Sequence, residues 1–293
     1  MNNSKNIQEF IKDLLTLFKF RIILSVSLTV FTGFLLYEGN DISEFYLPVL
    51  GVLFLAGGSS AVNQIQEIKH DSKMERTRLR PLVSGKMKLS TAVIFTVIIS
   101  LAGVLCFLPG EKYLSLSAAM LAFAWYSLVY VYLKRKTAYA VIAGSLIGAL
   151  PPVVGWTFAG GELFDLKIIY LAAFYFVWQV PHFTLLQIKF NPQYKQAGFP
   201  VMSDTMSENS LKIFIETGIA VSLIFIQLSI IENFHSLPIT IVAGILITAV
   251  LLKSSHSLFS GNATANYLST YKIYNYTMML YTSSILILSL FLK

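Results

Sequence analysis

The sequence predicts an all-α, polytopic membrane protein of about nine transmembrane helices around a central cavity. Three observations carry this expectation. The 293 residues are 55% hydrophobic and only 13% charged, against about 25% charged in soluble domains. Apolar runs of near 20 residues recur along the whole chain, the length needed to span the hydrocarbon of a bilayer. Lys and Arg alternate between abundance and scarcity in successive connecting segments.

The runs fall at about 20–37, 46–66, 89–109, 114–133, 138–158, 166–188, 211–231, 237–253 and 273–292. They are too long and too uniformly apolar for barrel strands, and backbone groups in lipid must pair within the segment, so helices are assigned. With the N-terminus placed inside, every Lys and Arg except Lys112, Lys167 and Lys293 falls on the inner side. This asymmetry predicts a multi-pass protein of a cell (inner) membrane, N-terminus cytoplasmic and C-terminus outside. The net charge of +7 is accounted for by this topology and by anion binding, and no nucleic-acid partner is expected. Cys106, the single cysteine, allows neither an intrachain disulfide nor a cysteine metal cluster. The first run is too long for a signal-peptide core and is read as a retained span. The whole chain, 1–293, is read as one membrane domain.

Two inner connections are long and polar, 67–88 and 189–210. Their separation by four spans hints at two similar halves. The stretch 254–272 is read as a polar connector. The first long connection continues the stripe Asn63, Glu67 and Asp71, spaced i, i+4, i+8 and so on one helix face. Oxygen-bearing side chains in this pattern suit Mg²⁺, which takes oxygen ligands together with substrate phosphates. Arg76, Arg78 and Arg80 follow at once, and guanidinium groups bind phosphate oxygens in a bidentate fork. A charged loop of ordinary ion pairs is the plain alternative, but carboxylates at a membrane edge are costly and point to use. Lys134-Arg135-Lys136 offers a second anion clamp or a simple topology signal.

Trp178-Gln179-Val180-Pro181-His182-Phe183 lies inside a run, where Pro181 is expected to kink the helix. A solitary His at membrane depth is more often a hydrogen-bonded core residue than a ligand. The functional readings of His182 are an axial haem ligand or a group positioning a flat aromatic substrate. Asn191-Pro192-Gln193-Tyr194 and Ala197-Gly198-Phe199-Pro200 mark an ordered turn. Gly144, Gly148 and Gly155 with Pro151 and Pro152 suggest close helix packing and broken regularity around a cavity.

In order along the chain, these elements resemble those of the UbiA-type intramembrane prenyltransferases, and within them the haem-farnesylating branch. The resemblance rests on several ordered pieces. They are Lys19-Phe20-Arg21, Asn63, Asp71, Met74-x-Arg76-Thr77, Arg80-Pro81, Lys134-Arg135-Lys136-Thr137, Gly148-Ala149-Leu150-Pro151-Pro152, Trp178-Gln179-x-Pro181-His182-Phe183 and Tyr194-x-x-Ala197-Gly198-x-Pro200. It covers at least 19–202.

The resemblance implies transfer of a farnesyl group from farnesyl diphosphate to the vinyl group of haem b, completed by water to give haem O, with Mg²⁺ as cofactor. It implies a catalytic set of Asp71, Glu67 and Arg76 and a diphosphate site of Lys69, Arg76, Arg80, Lys134 and Arg135. It also implies an acceptor (haem) site of Trp178, His182 and Tyr194, and metal ligation by Asn63, Glu67 and Asp71. Membrane lipid is a partner, as is an association with a haem A synthase or a terminal oxidase assembly.

The chain departs from the pattern where the family carries acids. Lys69 stands in place of a carboxylate, Glu67 replaces Asp, and Pro192 and Gln193 replace an Asp pair. Metal ligation then rests on the first motif with more water, and Lys69 contacts the diphosphate. Asp204 and Glu208 lie close enough downstream to compensate. Three alternatives remain open: a non-catalytic haem-binding or haem-delivery protein, a prenyltransferase for another aromatic acceptor, and a transporter.

Overall fold

The computed structural model describes residues 2–260 and 263–291, with side chains described for 7–260 and 266–291. Every element among the described residues is helical. The spans begin after a short N-terminal helix, α1 (Asn2–Leu17), which meets α2 (Phe20–Leu36) at a 54° bend. Helix α3 (Tyr46–Asp71) carries the stripe and runs well past its apolar core into the polar loop. It is followed by α4 (Leu89–Leu105), α5 (Tyr113–Ala124), a six-residue π-helical turn (Trp125–Tyr130) and α6 (Val131–Leu133). The second part comprises α7 (Ala140–Ala159), α8 (Leu166–Lys189), the short α9 (Asn191–Ala197), α10 (Glu208–Phe234), α11 (Leu237–Phe259) and α12 (Ala263–Phe291).

Among the described residues, six helical segments are long and apolar enough to cross a membrane, or seven if the bent α1–α2 pair is one span. The expected count of nine is therefore not confirmed. Leu89–Leu105 is apolar but has only 17 residues, and the final helix Ala263–Phe291 is not among the qualifying spans. Its Asn, Tyr and Ser/Thr residues dilute its apolar character. The expected connector 254–272 is also corrected: helix α11 continues through Phe259 and α12 resumes at Ala263, while residues 261 and 262 lie outside the described residues. Lys293, assigned to the outer side, lies outside them too.

The most extensive helix contacts are α8 with α10, α2 with α7, α7 with α8, and α3 with α4, and α12 returns to α2 and α8 to close the bundle. One apolar core lies between α7, α8, α10 and α12, around Leu171, Phe174, Trp178, Ile215 and Tyr274. A second lies between α2, α3, α5 and α7, around Val30, Phe34, Leu55, Ala119 and Phe158. The prolines do not break the helices that hold them: α7 is continuous through Pro151 and Pro152, and α8 through Pro181. Close approach of α2 and α7 depends on the lack of a side chain at Gly155, where a Cβ would lie 1.9 Å from the Val30 carbonyl oxygen.

Candidate active site

The polar loop 72–88, the α6–α7 corner and the α9 region converge at one end of the bundle, over a cavity of about 860 Å³. That is in the upper part of the range for pockets that enclose small ligands. Its mouth is polar and its body apolar, the latter lined by Val26, Val52, Leu55, Ala119, Phe123, Ile147 and Val154.

The predicted stripe forms one wall of the mouth. Asn63, Glu67 and Asp71 line the cavity and are almost wholly buried. Glu67 and Asp71 occupy the last turns of α3, where the helix dipole disfavours anions, and each is matched by a cation from another segment. Lys134 Nζ lies 2.6 Å from Glu67 Oε1 and donates a hydrogen bond to Oε2 at 2.7 Å. Arg80 Nη1 donates to Asp71 Oδ2 at 2.5 Å. Asp71 also fixes its own loop, since its carbonyl accepts from the Thr77 hydroxyl at 2.8 Å.

Arg76 joins the two long loops. Its Nη2 donates to the Tyr194 hydroxyl at 3.0 Å, its backbone NH to Gln193 Oε1 at 3.4 Å, and its guanidinium lies over the rings of Phe190 and Tyr194. Met74, Ala197 and Phe199 pack beneath this junction, with Tyr194 against them. Arg76, Arg80, Lys134 and Tyr194 all line the cavity.

Lys19 is a site residue that the sequence reading left unassigned. It stands in the turn ahead of α2 in the left-handed region, φ 54°, a conformation uncommon outside glycine. That backbone aims its ammonium at Asn63 Oδ1 and the Tyr126 hydroxyl, both at 3.2 Å. Burial, and then the nearby Arg80 charge, pull its pKa down to about 8. An arriving anion would oppose both effects.

The π-helical turn supplies the opposite wall. Such turns are rare and concentrate at functional sites. Tyr126 and Tyr130 stack at 5.6 Å, and Tyr130 stacks on Phe183 of α8 at 6.5 Å. All three rings face the cavity. No sequence pattern marks the π turn; two tyrosines four apart were its one visible trace.

Other expected site residues are placed elsewhere. Lys69 is exposed and absent from the cavity wall, because two helical residues turn it by about 200° from Glu67. Arg135 donates instead to the Gln66 carbonyl at 2.9 Å, tying α6 to α3. Trp178 and His182 do not line the cavity. They pack against α12, with His182 at 4.6 Å from Trp178 and 5.4 Å from Tyr271. On α8 the cavity face is instead Gln179, Phe183 and Leu186. Asp204 pairs with Lys195 and Glu208 with Lys212, so neither supplies the missing acids.

Among the described residues no group of three or more His, Cys, Asp or Glu gathers as a metal site. Two carboxylates and an amide oxygen do face the cavity together. This donor set fits Mg²⁺, which uses one or two carboxylates and completes its octahedron with water and substrate phosphate.

A bundle of apolar helices, with cations and two carboxylates over an apolar chamber, defines an intramembrane enzyme class that handles an anionic head and a long apolar tail. The model of the UbiA prenyltransferase family matches residues 26–283, and the chain belongs to that family. The protoheme IX farnesyltransferase of Geobacter sulfurreducens is 40% identical over 189 residues, covering 64% of this chain and 70% of the relative. That of Oleidesulfovibrio alaskensis is 38% identical over 190 residues, covering 64% and 67%. Among solved structures, one described as a digeranylgeranylglyceryl phosphate synthase superposes with a TM-score of 0.78 at 17% identity, covering 96% of this chain and 99% of that one. A UbiA homologue from Archaeoglobus fulgidus, bound to DMAPP and Mg²⁺, gives 0.68 at 17%, covering 93% and 98%. At that identity the likeness concerns the fold. The chain is thus a multi-pass membrane prenyltransferase.

Proposed function

We propose that this protein transfers the farnesyl group of farnesyl diphosphate to a vinyl group of haem b, producing haem O and diphosphate. The observation that carries this reading is the cavity itself: a cation-rich mouth continuous with an apolar chamber, in a chain 40% identical to a protoheme IX farnesyltransferase.

The roles follow from placement. Arg76, Arg80, Lys134 and Lys19 gather the negative charge that grows on the leaving diphosphate. Glu67 and Asp71, with Asn63, would hold Mg²⁺, which when bound supplies further charge neutralisation on the leaving group. The carboxylates orient Lys134 and Arg80 toward the same point. The faces of Tyr126, Tyr130 and Phe183 stabilise the positive allylic carbon, as aromatic faces attract cations. The vinyl carbon attacks that carbon, and the apolar wall keeps water from intercepting it first. Tyr194 holds Arg76 in place.

In this reading the site faces the cytoplasm, where the Lys- and Arg-rich segments lie, in a cell (inner) membrane with the C-terminus outside. Association with a haem A synthase or a terminal oxidase assembly belongs to the same reading, and co-purification tests it.

The reaction is tested by expressing the chain in cells that lack haem O synthesis and weighing the extracted haem. A hydroxyethylfarnesyl derivative supports the reading. Haem b alone, with the protein present in the membrane, overturns it in favour of a non-catalytic haem-binding protein.

A further inference from the structure

Gln179 is a polar group of the apolar chamber that none of the charge-stabilising steps uses. Gln179 lies on α8 and lines the cavity among Ile147, Pro151 and Val154. Its Oε1 is buried with no hydrogen-bond partner. An unsatisfied buried amide oxygen is costly, so a structure that retains one invites a ligand or an ordered water. The amide has little freedom. It fills the space over Gly148 of α7, where a Cβ would lie 1.8 Å from Nε2.

The depth is informative. Phe183, one turn nearer the mouth on the same face of α8, stacks on Tyr130, whose ring lies under Lys134. The allylic carbon is tied to the diphosphate at the level of Lys134, so the acceptor's vinyl group must reach the level of Tyr130 and Phe183. Gln179 is then about one helical rise of 5–6 Å deeper. After the terminal vinyl carbon has bonded to the farnesyl carbon, the positive charge moves to the carbon attached to the porphyrin, on the side away from the diphosphate.

We propose that Gln179 is a positioning residue that holds the water which completes the reaction. The proposal rests on the farnesyl-transfer reading. Gln179 Oε1 accepts a hydrogen bond from the water and leaves a lone pair facing the cationic carbon. The water oxygen forms the new C–O bond with that lone pair. The oxonium so formed loses one proton, which passes to the released diphosphate, leaving a neutral hydroxyl. Without a held water the same cation loses a proton from the adjacent carbon and forms an alkene, a product lighter by one water. The pocket thereby selects hydration over elimination.

The test is the mass of farnesylated haem from cells expressing wild type, Q179M and Q179E, each grown in ordinary and in ¹⁸O-labelled water. Wild type should carry the label in its hydroxyl. Q179M keeps the shape without the acceptor oxygen, and its ratio of hydrated to alkene product should fall by about fivefold, the worth of one hydrogen bond. Q179E, which restores an acceptor, should recover most of the ratio. An unchanged ratio in Q179M overturns the proposal. So does Q179M that binds farnesyl diphosphate but forms neither product, which would make Gln179 an acceptor-binding group. If Q179M does not accumulate in the membrane, G148A decides in the same way, because its methyl displaces the amide: a fallen ratio supports the proposal and an unchanged one overturns it. Wild type that makes no farnesylated haem at all overturns the parent reading, a result distinct from every other.

Discussion

Lys134 Nζ stands 2.6 Å from Glu67 Oε1, so the corner between α6 and α7 is fastened to α3 across the mouth of the cavity. The pair is partly screened from water, with Glu67 2% exposed, and removing one partner leaves a buried charge unmatched. Such loss costs about 3–5 kcal/mol. E67Q removes the carboxylate charge while keeping the shape, and K134M removes its partner. Both should lower kcat/KM for farnesyl diphosphate at least 100-fold. The double variant should be less impaired in thermal stability than the sum of the singles. Additive stability losses would show that the pair is not coupled.

Asp71 and Arg80 form the second such pair, at 2.5 Å. D71N is expected to reduce turnover by 100-fold or more with the protein still folded in the membrane, because it removes a Mg²⁺ ligand and frees Arg80 together. Chelation of divalent metal should have the same effect on the unaltered protein and little further effect on D71N. Turnover that persists in chelator would remove Mg²⁺ from the proposed reaction.

Arg76 is exposed, yet it is held by Tyr194 and by two rings. R76A should raise KM for the diphosphate substrate by one to two orders of magnitude. Y194F, which removes a single hydrogen bond of about 1 kcal/mol, should cost only about fivefold. Equal losses in the two variants would mean that Tyr194 itself touches substrate.

The stripe Asn63, Glu67 and Asp71 was legible because helical spacing alone brings i, i+4 and i+8 together, and its cationic partners were legible as phosphate-binding types. What a single helix does not determine was harder to read. His182 and Gln179 are three residues apart on α8, and only packing against α12 and α7 decides which one meets the cavity. Lys69 was assigned by residue type, while its helical angle turns it away. Lys19 stood in the sequence only as part of the Lys19-Phe20-Arg21 piece and Tyr126 only as one of two tyrosines four apart; the left-handed backbone and the π turn that bring them to the cavity have no sequence pattern of their own. The expected count of nine spans is not confirmed, because Leu89–Leu105 has only 17 residues and polar side chains dilute the apolar character of α12.

The position of His182 separates a structural from a ligand role. Its ring packs with Trp178 and Tyr271 at the α8–α12 contact, outside the cavity wall. H182A should therefore lower the melting temperature by several degrees, while KM for haem b changes less than threefold. H182F, which keeps a ring, should recover most of the stability. A large loss of haem affinity in H182F, at normal stability, would restore His182 as a haem contact.

Lys19 offers a test by pH. Its ammonium has a pKa of about 8 in the substrate-free protein, lowered first by burial and then by Arg80. A diphosphate binds the protonated form better, so affinity should be full below about pH 7 and should weaken as pH rises through 8. Binding of the anion raises the pKa and takes up a proton over that range. K19R keeps a charge at every accessible pH, and should flatten this limb of the profile. K19M should weaken binding at low pH and leave little further decline above it. K19G would relieve the left-handed backbone but lose the ammonium, so it should bind no better than K19M. Binding measured by titration calorimetry in two buffers of different ionisation enthalpy reads the proton uptake directly. If wild type and K19R take up the same number of protons at pH 8, the titrating group lies elsewhere in the mouth.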